Sequence, residues 1–301
     1  MKRNLLIFVV ALPLLFVAVL LLAGKHSPAL DAPLPNPNGY DLLLTAAGML
    51  PGDTNMLYNF ETTGKAELAA QLATNQHALT LACSALTNEC RVPVDYSVAA
   101  AYSSAHSQDF IVLRRLALAM TAKGRLAELQ NDPPTAAKDY LDVMCFGTEA
   151  GRGGFITDAT IGIAIEGMGQ SHLEALVGRL DSAFCHTAVS TLESLDSNRE
   201  AWDDVLDRED LRTRRWVPSL RQRITLWYYM RNDLAKIRNK AKGKFLGQQV
   251  KTRSLEIQLA ARAYELDAGQ PPHTIKDLVP RYLKAIPYDP VAGKDMAYPL
   301  P

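Results

Sequence analysis

Residues 110–146 read FIVLRRLALAMTAKGRLAELQNDPPTAAKDYLDVMCF, and this stretch decides the fold class. Leu113, Leu116, Ala117, Met120 and Leu126 recur at helical spacing and make one apolar face. Asn131-Asp132-Pro133-Pro134 then forces a stop, because proline removes a backbone donor and clashes with the preceding turn. A second helix is predicted from Thr135 to Phe146, so the pair forms an αα-hairpin. Ala122, Gly124, Ala127, Ala136 and Ala137 are small enough to let the two helices approach closely.

Outward from the hairpin the same periodicity continues. Towards the N-terminus, Asp41 to Leu50 is predicted helical, with a break at Pro51-Gly52-Asp53. A further helix is predicted from Lys65 to Leu86, with Leu68, Leu72, Leu79 and Leu86 on one side, and Arg91-Val92-Pro93-Val94 reads as a turn or extended connector. Towards the C-terminus, Gly147 to Gly154 is glycine-rich and precedes a helical run from Ile156 to Leu180. A phosphate-binding loop needs a lysine and a hydroxyl residue after its second glycine; this segment lacks both and places Glu149 where an anion would sit. Helix termination and a turn explain these glycines, and close helix packing explains Gly162, Gly167 and Gly169.

The run Leu5 to Gly24 carries no charge and, at about 1.5 Å per residue, spans roughly a 30 Å hydrocarbon layer. Lys2 and Arg3 precede it, which predicts a cytoplasmic N-terminus and a body outside the cytoplasm, at the inner membrane in a single pass. The alternative is a cleaved signal peptide; Ser27-Pro28-Ala29 fits its cut site poorly. Pro28, Pro33, Pro35 and Pro37 make residues 27–38 a stiff, extended spacer. The expected organisation is a transmembrane signal anchor over 1–26, a Pro-rich linker over 27–38, a helical body over 39–245, and a long helix with a short irregular or β segment over 246–301. The fold class is mainly α.

The charges balance overall, with 32 Lys and Arg against 32 Asp and Glu, which excludes a uniformly basic nucleic-acid binder. Locally they separate. Residues 193–210 are acidic, whereas 212–244 carry Arg212, Arg214, Arg215, Arg221, Arg223, Arg231, Lys236, Arg238, Lys240, Lys242 and Lys244 against Asp233 alone, interleaved with Trp216, Trp227, Tyr228 and Tyr229. Such a stretch can bind an anionic surface through its arginines and lysines, or nucleic acid if the body were cytoplasmic. The plainer alternative is acidic and basic helices facing each other, with the aromatics in the core. Nucleic acid is not expected for an exported body.

Four cysteines are too few for a disulfide scaffold; in an oxidising compartment Cys83 and Cys90 are spaced to close a short loop. No nucleophile elbow, zinc-protease, haem or dinucleotide motif occurs, the six histidines are scattered, and neighbours such as Cys185-His186 or Asp203-Asp204 diverge on a helix. No catalytic residue and no cofactor are implied.

Two resemblances add to this. The 110–146 hairpin resembles a tetratricopeptide-type unit, but its period does not recur and one copy makes no solenoid. Leu259, Ala263 and Tyr264, then Gly269-Gln270-Pro271-Pro272, Leu278 to Leu283, Ile286 to Pro290, Gly293-Lys294 and Tyr298 resemble the C-terminal part of type II secretion major pseudopilins. The anchor lacks the glycine and the glutamate of pseudopilin maturation, so fibre assembly is not implied. Some pseudopilins bind calcium in the corresponding loop, which would make Asp289 and Asp295 oxygen ligands; a plain turn is the alternative. The tail, and Asn38 to Asp41 with Asn88 to Pro93, are also similar to membrane-anchored bacterial proteins of no assigned activity. The expectation is therefore an anchored extracytoplasmic scaffold that binds another envelope protein, with an envelope hydrolase as the rival.

Overall fold

The computed structural model describes residues 33–51, 59–94, 99–217 and 219–299, with the backbone alone described for 99–105, 220, 226 and 227. The run Leu5 to Gly24 and the spacer as far as residue 32 lie outside the described residues. Among those described, no helix is long and apolar enough to cross a membrane. Nine α-helices make up most of the described residues: α1 (Gly39–Gly48), α2 (Lys65–Thr74), α3 (Gln76–Ala85), α4 (Ala99–Leu129), α5 (Pro133–Gly151), α6 (Ile156–Leu176), α7 (Ser182–Ser197), α8 (Trp202–Trp216) and α9 (Leu220–Ala268). A 3-10 turn, Ile275–Leu278, and an antiparallel ladder of β1 (Tyr288–Asp289) with β2 (Lys294–Asp295) follow.

The hairpin of α4 and α5 turns where the Asn-Asp-Pro-Pro sequence dictates. Asn131 takes the left-handed conformation, φ 61°. Asp132 caps α5 by accepting from the Thr135 N–H at 3.2 Å, and Pro133 and Pro134 occupy first-turn positions where no donor is needed. Gly124 lets the Tyr140 ring lie against α4; a Cβ there would come within 2.5 Å of a ring carbon. The Tyr140 hydroxyl donates to Glu128.

The most extensive helix contact is between α5 and α6, and it is made backbone to backbone. Gly147 faces Gly162 and the main chain at Glu166, and Gly169 faces the main chain of Tyr140 and Met144. Gly147 therefore lies within α5 rather than ending it, Gly151 is still helical, and Gly153 (φ 76°) is the glycine of this run that makes the turn. The Gly153 N–H donates to Glu200, the Gly154 carbonyl accepts from Arg208 at 2.7 Å, and the Arg152 carbonyl accepts from the Val92 N–H. The glycine-rich turn is thus occupied by the chain's own groups.

Two large cores result. One gathers Tyr40, Leu43, Leu68, Leu116 and Phe146 from α1, α2, α4 and α5; the other joins Leu173, Leu192, Leu255, Leu259 and Leu278 from α6, α7, α9 and the tail. The single helix expected over Lys65–Leu86 is two helices. Asn75 separates them, its side-chain amide donating to the Gln71 carbonyl at 2.9 Å and so competing with the helix ladder. Helix α9, 49 residues long, runs through position 245, where a boundary between body and tail was expected, and its second half shares the second core. The tail folds back with the capping box its spacing implies: Asp277 accepts from the N–H groups of Thr274 and His273.

Replacing Gly162 by Val should drive a side chain into the α5 backbone and lower stability by about 3 kcal/mol in urea unfolding. Gly247, where an added methyl would meet nothing within 4 Å, should behave oppositely: Gly247→Ala should add about 0.5–1 kcal/mol through helix propensity.

Candidate functional site

Beyond the body, the first half of α9 is exposed on most of its circumference. Ile224, Tyr228, Tyr229 and Ile237 are 57, 66, 75 and 58 % exposed, and Met230 is exposed as well, all spread around the helix, with the Tyr228 and Tyr229 rings in edge contact. The tyrosines of the basic stretch are thus on the surface and not in the core. Where α8 hands over to α9, Trp216, Val217, Ser219, Gln222, Thr225, Tyr229 and Met230, with Arg221 at its edge, line an open and largely apolar groove of about 750 Å³.

The basic residues expected to form one anionic-surface site divide into two sets. Arg212 pairs with Glu209 and lies over the rings of Phe155 (4.4 Å) and Trp216 (4.9 Å), and Arg238 pairs with Asp210, so these two tie α8 to α6 and α9. Arg214, Arg215, Arg221, Lys236 and Lys240 remain on the surface, with Lys236 near Asp233, while Arg223 is half-buried.

Inside the body lies a buried polar network. Glu166, fully buried on α6, accepts a two-pronged pair from Arg199 (2.9 and 2.6 Å) and a hydrogen bond from the Thr252 hydroxyl at 2.7 Å. Asp196 accepts two bonds from Arg253, whose guanidinium also reaches the Tyr288 carbonyl. Glu256 is buried beside them, and its Oε1 has no hydrogen-bond partner among the described residues. Burial, with the nearby Asp196 and Glu193 carboxylates, pushes its carboxyl up to about 8. Glu166 and Arg199 also border a cleft with Glu200, Arg152 and Phe245, but that cleft has only about 30 Å³ of room. It accommodates a water or two and no substrate.

A second buried pair joins His106 to Asp158, which also caps α6 by accepting from the Phe155 N–H at 2.7 Å. Burial opposes the charged imidazole, but the bonds and charges of Asp158 and Asp109 outweigh it and hold its pKa above the usual value. Around Asp267, Ser182, Tyr282, Arg281 and His186 converge. The serine donates directly to the aspartate at 2.5 Å, which leaves the histidine outside any relay to a nucleophile. This cluster clasps the tail to α7 and α9.

The remaining expected sites do not assemble. All four cysteines, each among the described residues, are free: the Cys83 thiol faces Asp142 while Cys90 packs beneath Gly39, so the expected pair is not joined. Burial pushes the Cys90 and Cys145 thiols up to about 12 and Cys185 to about 11, which makes them poor nucleophiles. The ladder places Asp295 opposite Tyr288 and Asp289 opposite Lys294, so the two calcium candidates lie on opposite faces. Asp289 instead closes a turn, accepting from the N–H groups of Val291 and Ala292 at 2.8 Å. No cluster of three metal-ligating side chains occurs among the described residues.

Sequence reasoning missed the Glu166 network. The signal available was a lone acid inside the apolar run Ile161 to Met168, together with Thr252 and Glu256 one turn apart. Comparison with family models, with curated proteins and with solved structures finds no match to this chain.

Because Glu256 holds its proton to about pH 8 when folded and to about 4.5 otherwise, the folded chain binds the extra proton between those values. Stability should therefore fall as pH rises through that window, by at most about 1.4 kcal/mol per unit from this group. Glu256→Gln should flatten that part of the dependence and leave the variant more stable than wild type at pH 8, read by urea unfolding at pH 5, 6.5 and 8. Arg199→Met should cost about 3–5 kcal/mol, since it strands the buried Glu166 carboxylate.

Proposed function

We propose that this chain is a membrane-anchored scaffold of the cell envelope, its helical body outside the cytoplasm, which binds another envelope protein in the groove between α8 and α9. The groove carries the proposal: it is open, largely apolar, edged by Arg221 and rich in the residue types that anchor protein interfaces. Leu5 to Gly24 and the preceding Lys2 and Arg3 support the anchor and its orientation. The resemblance of the tail to pseudopilins agrees with an envelope location.

A hydrolase in the same compartment would need carboxylates converging on an accessible cavity. Glu166 and Glu200 do border a cleft, but each is locked to an arginine, Arg199 and Arg208, and the space between them is water-sized. Binding is therefore favoured over hydrolysis.

Two experiments test the proposal. Protease added to cells with a permeabilised outer barrier and a sealed inner membrane should digest a C-terminal tag; protection until the inner membrane opens would discard the topology. A photo-crosslinking residue at position 229 should give one discrete adduct with an envelope protein, and none when placed at the buried position 255. Once that partner is purified, Tyr229→Ala should weaken binding by roughly 30-fold. An unchanged affinity would remove the groove from the interface.

A further inference from the structure

A second face of α9 meets the groove only at Arg221. Arg221, Ile224, Tyr228, Arg231 and Ala235 follow one another at alternating three- and four-residue steps, which sets them in a single row; the next position, Arg238, turns to Asp210 of α8 and ends it. All five residues of the row are exposed. At about 1.5 Å per residue the row is roughly 21 Å long. The groove-lining Gln222, Thr225 and Tyr229 are offset from it by about a third of a turn, and Ala241, which joins the body, lies on another side again.

The row carries two cations, Arg221 and Arg231, with an aliphatic and a phenolic side chain between them. A second copy of this chain is a poor occupant, because the basic stretch 212–244 would repel itself and Glu193, Asp196, Glu200, Glu209 and Asp210 of the acidic stretch are already paired within the chain. The charge calls for an anionic partner. A straight row along one helix face fits a plane, and tyrosine with arginine is a combination that rests at the headgroup level of a bilayer, ring at the interface and cations on phosphate. We infer that this row docks on an acidic lipid surface, with the first half of α9 lying along it.

The inference rests on the anchored part of the proposed function, and one experiment separates the two. The full chain is assembled into nanodiscs of phosphatidylcholine alone or with phosphatidylglycerol, and amide hydrogen exchange is followed over 220–242. Incorporation into discs of both compositions reads the anchor; the difference in exchange between them reads the row. If the chain does not incorporate, the same difference is read with preformed vesicles. Two basic side chains at an acidic surface give roughly a 30-fold preference, so exchange should slow by up to that factor in the acidic discs. It should recover in about 0.5 M salt, where the screening length falls to roughly 4 Å. The double variant Arg221→Glu, Arg231→Glu should lose the effect while the exchange of α5 and α6 stays unchanged. Equal exchange in neutral and acidic discs, protection that survives the double variant, or protection by duplex DNA in place of acidic lipid would each overturn it.

Discussion

Two helix backbones touch at Gly147 and Gly162, and the position of nearly everything else in the body follows from that contact. With no side chains between them, the α5 and α6 main chains come into direct contact, Gly147 against Gly162 and Glu166. That approach carries Glu166 into the interior, where an unpaired carboxylate would be strongly unfavourable. Arg199, just beyond the end of α7, and Thr252 from α9 therefore have to be where they are. A steric fact on one helix pair thus fixes the placement of two others.

The network is better understood as a device for specifying one arrangement than as a source of stability. A buried ion pair gains in Coulomb energy about what it loses in solvation, so apolar residues of the same shape would hold the helices as well. What apolar residues would not do is choose between registers. The Arg199 fork fits Glu166 in one geometry, Arg253 fits Asp196 and the Tyr288 carbonyl in another, and the Asp267 cluster fixes the tail a third time. These links join segments 33, 57, 35 and 85 residues apart in the chain.

That separation explains what could be read from the sequence. The α4–α5 hairpin was legible because its determinants are local: an apolar face of one period, small residues where the helices meet, and Asn131 to Pro134 at the turn. The capping box at Thr274 was legible for the same reason. The break at Asn75 was not, since one side chain turning back on its own helix leaves the apolar period of Leu68, Leu72 and Leu79 intact. Glu166 and Glu256 were invisible as a site because their partners come from other helices. The basic stretch was legible as charge but not as geometry: only packing shows that Arg212 and Arg238 bind neighbouring acids while Tyr228 and Tyr229 stand in solvent.

Helix α9 is unbroken from Leu220 to Ala268, so its outer and inner halves form one rod of roughly 74 Å. No proline interrupts it, and a helix with its hydrogen-bond ladder intact resists sharp bending. The inner half is held in the second core, so the outer half is a lever arm supported by the pair of Arg238 with Asp210 on α8. A tilt of about 10° imposed on the outer 30 Å or so would move its tip by about 5 Å, while Leu255, Leu259 and Ala263 keep the far end in place. Mechanical load at the exposed end is therefore felt first at the α8 contact, and the tail, with Ile275, Leu278, Tyr282 and Leu283 in the second core, is shielded from it.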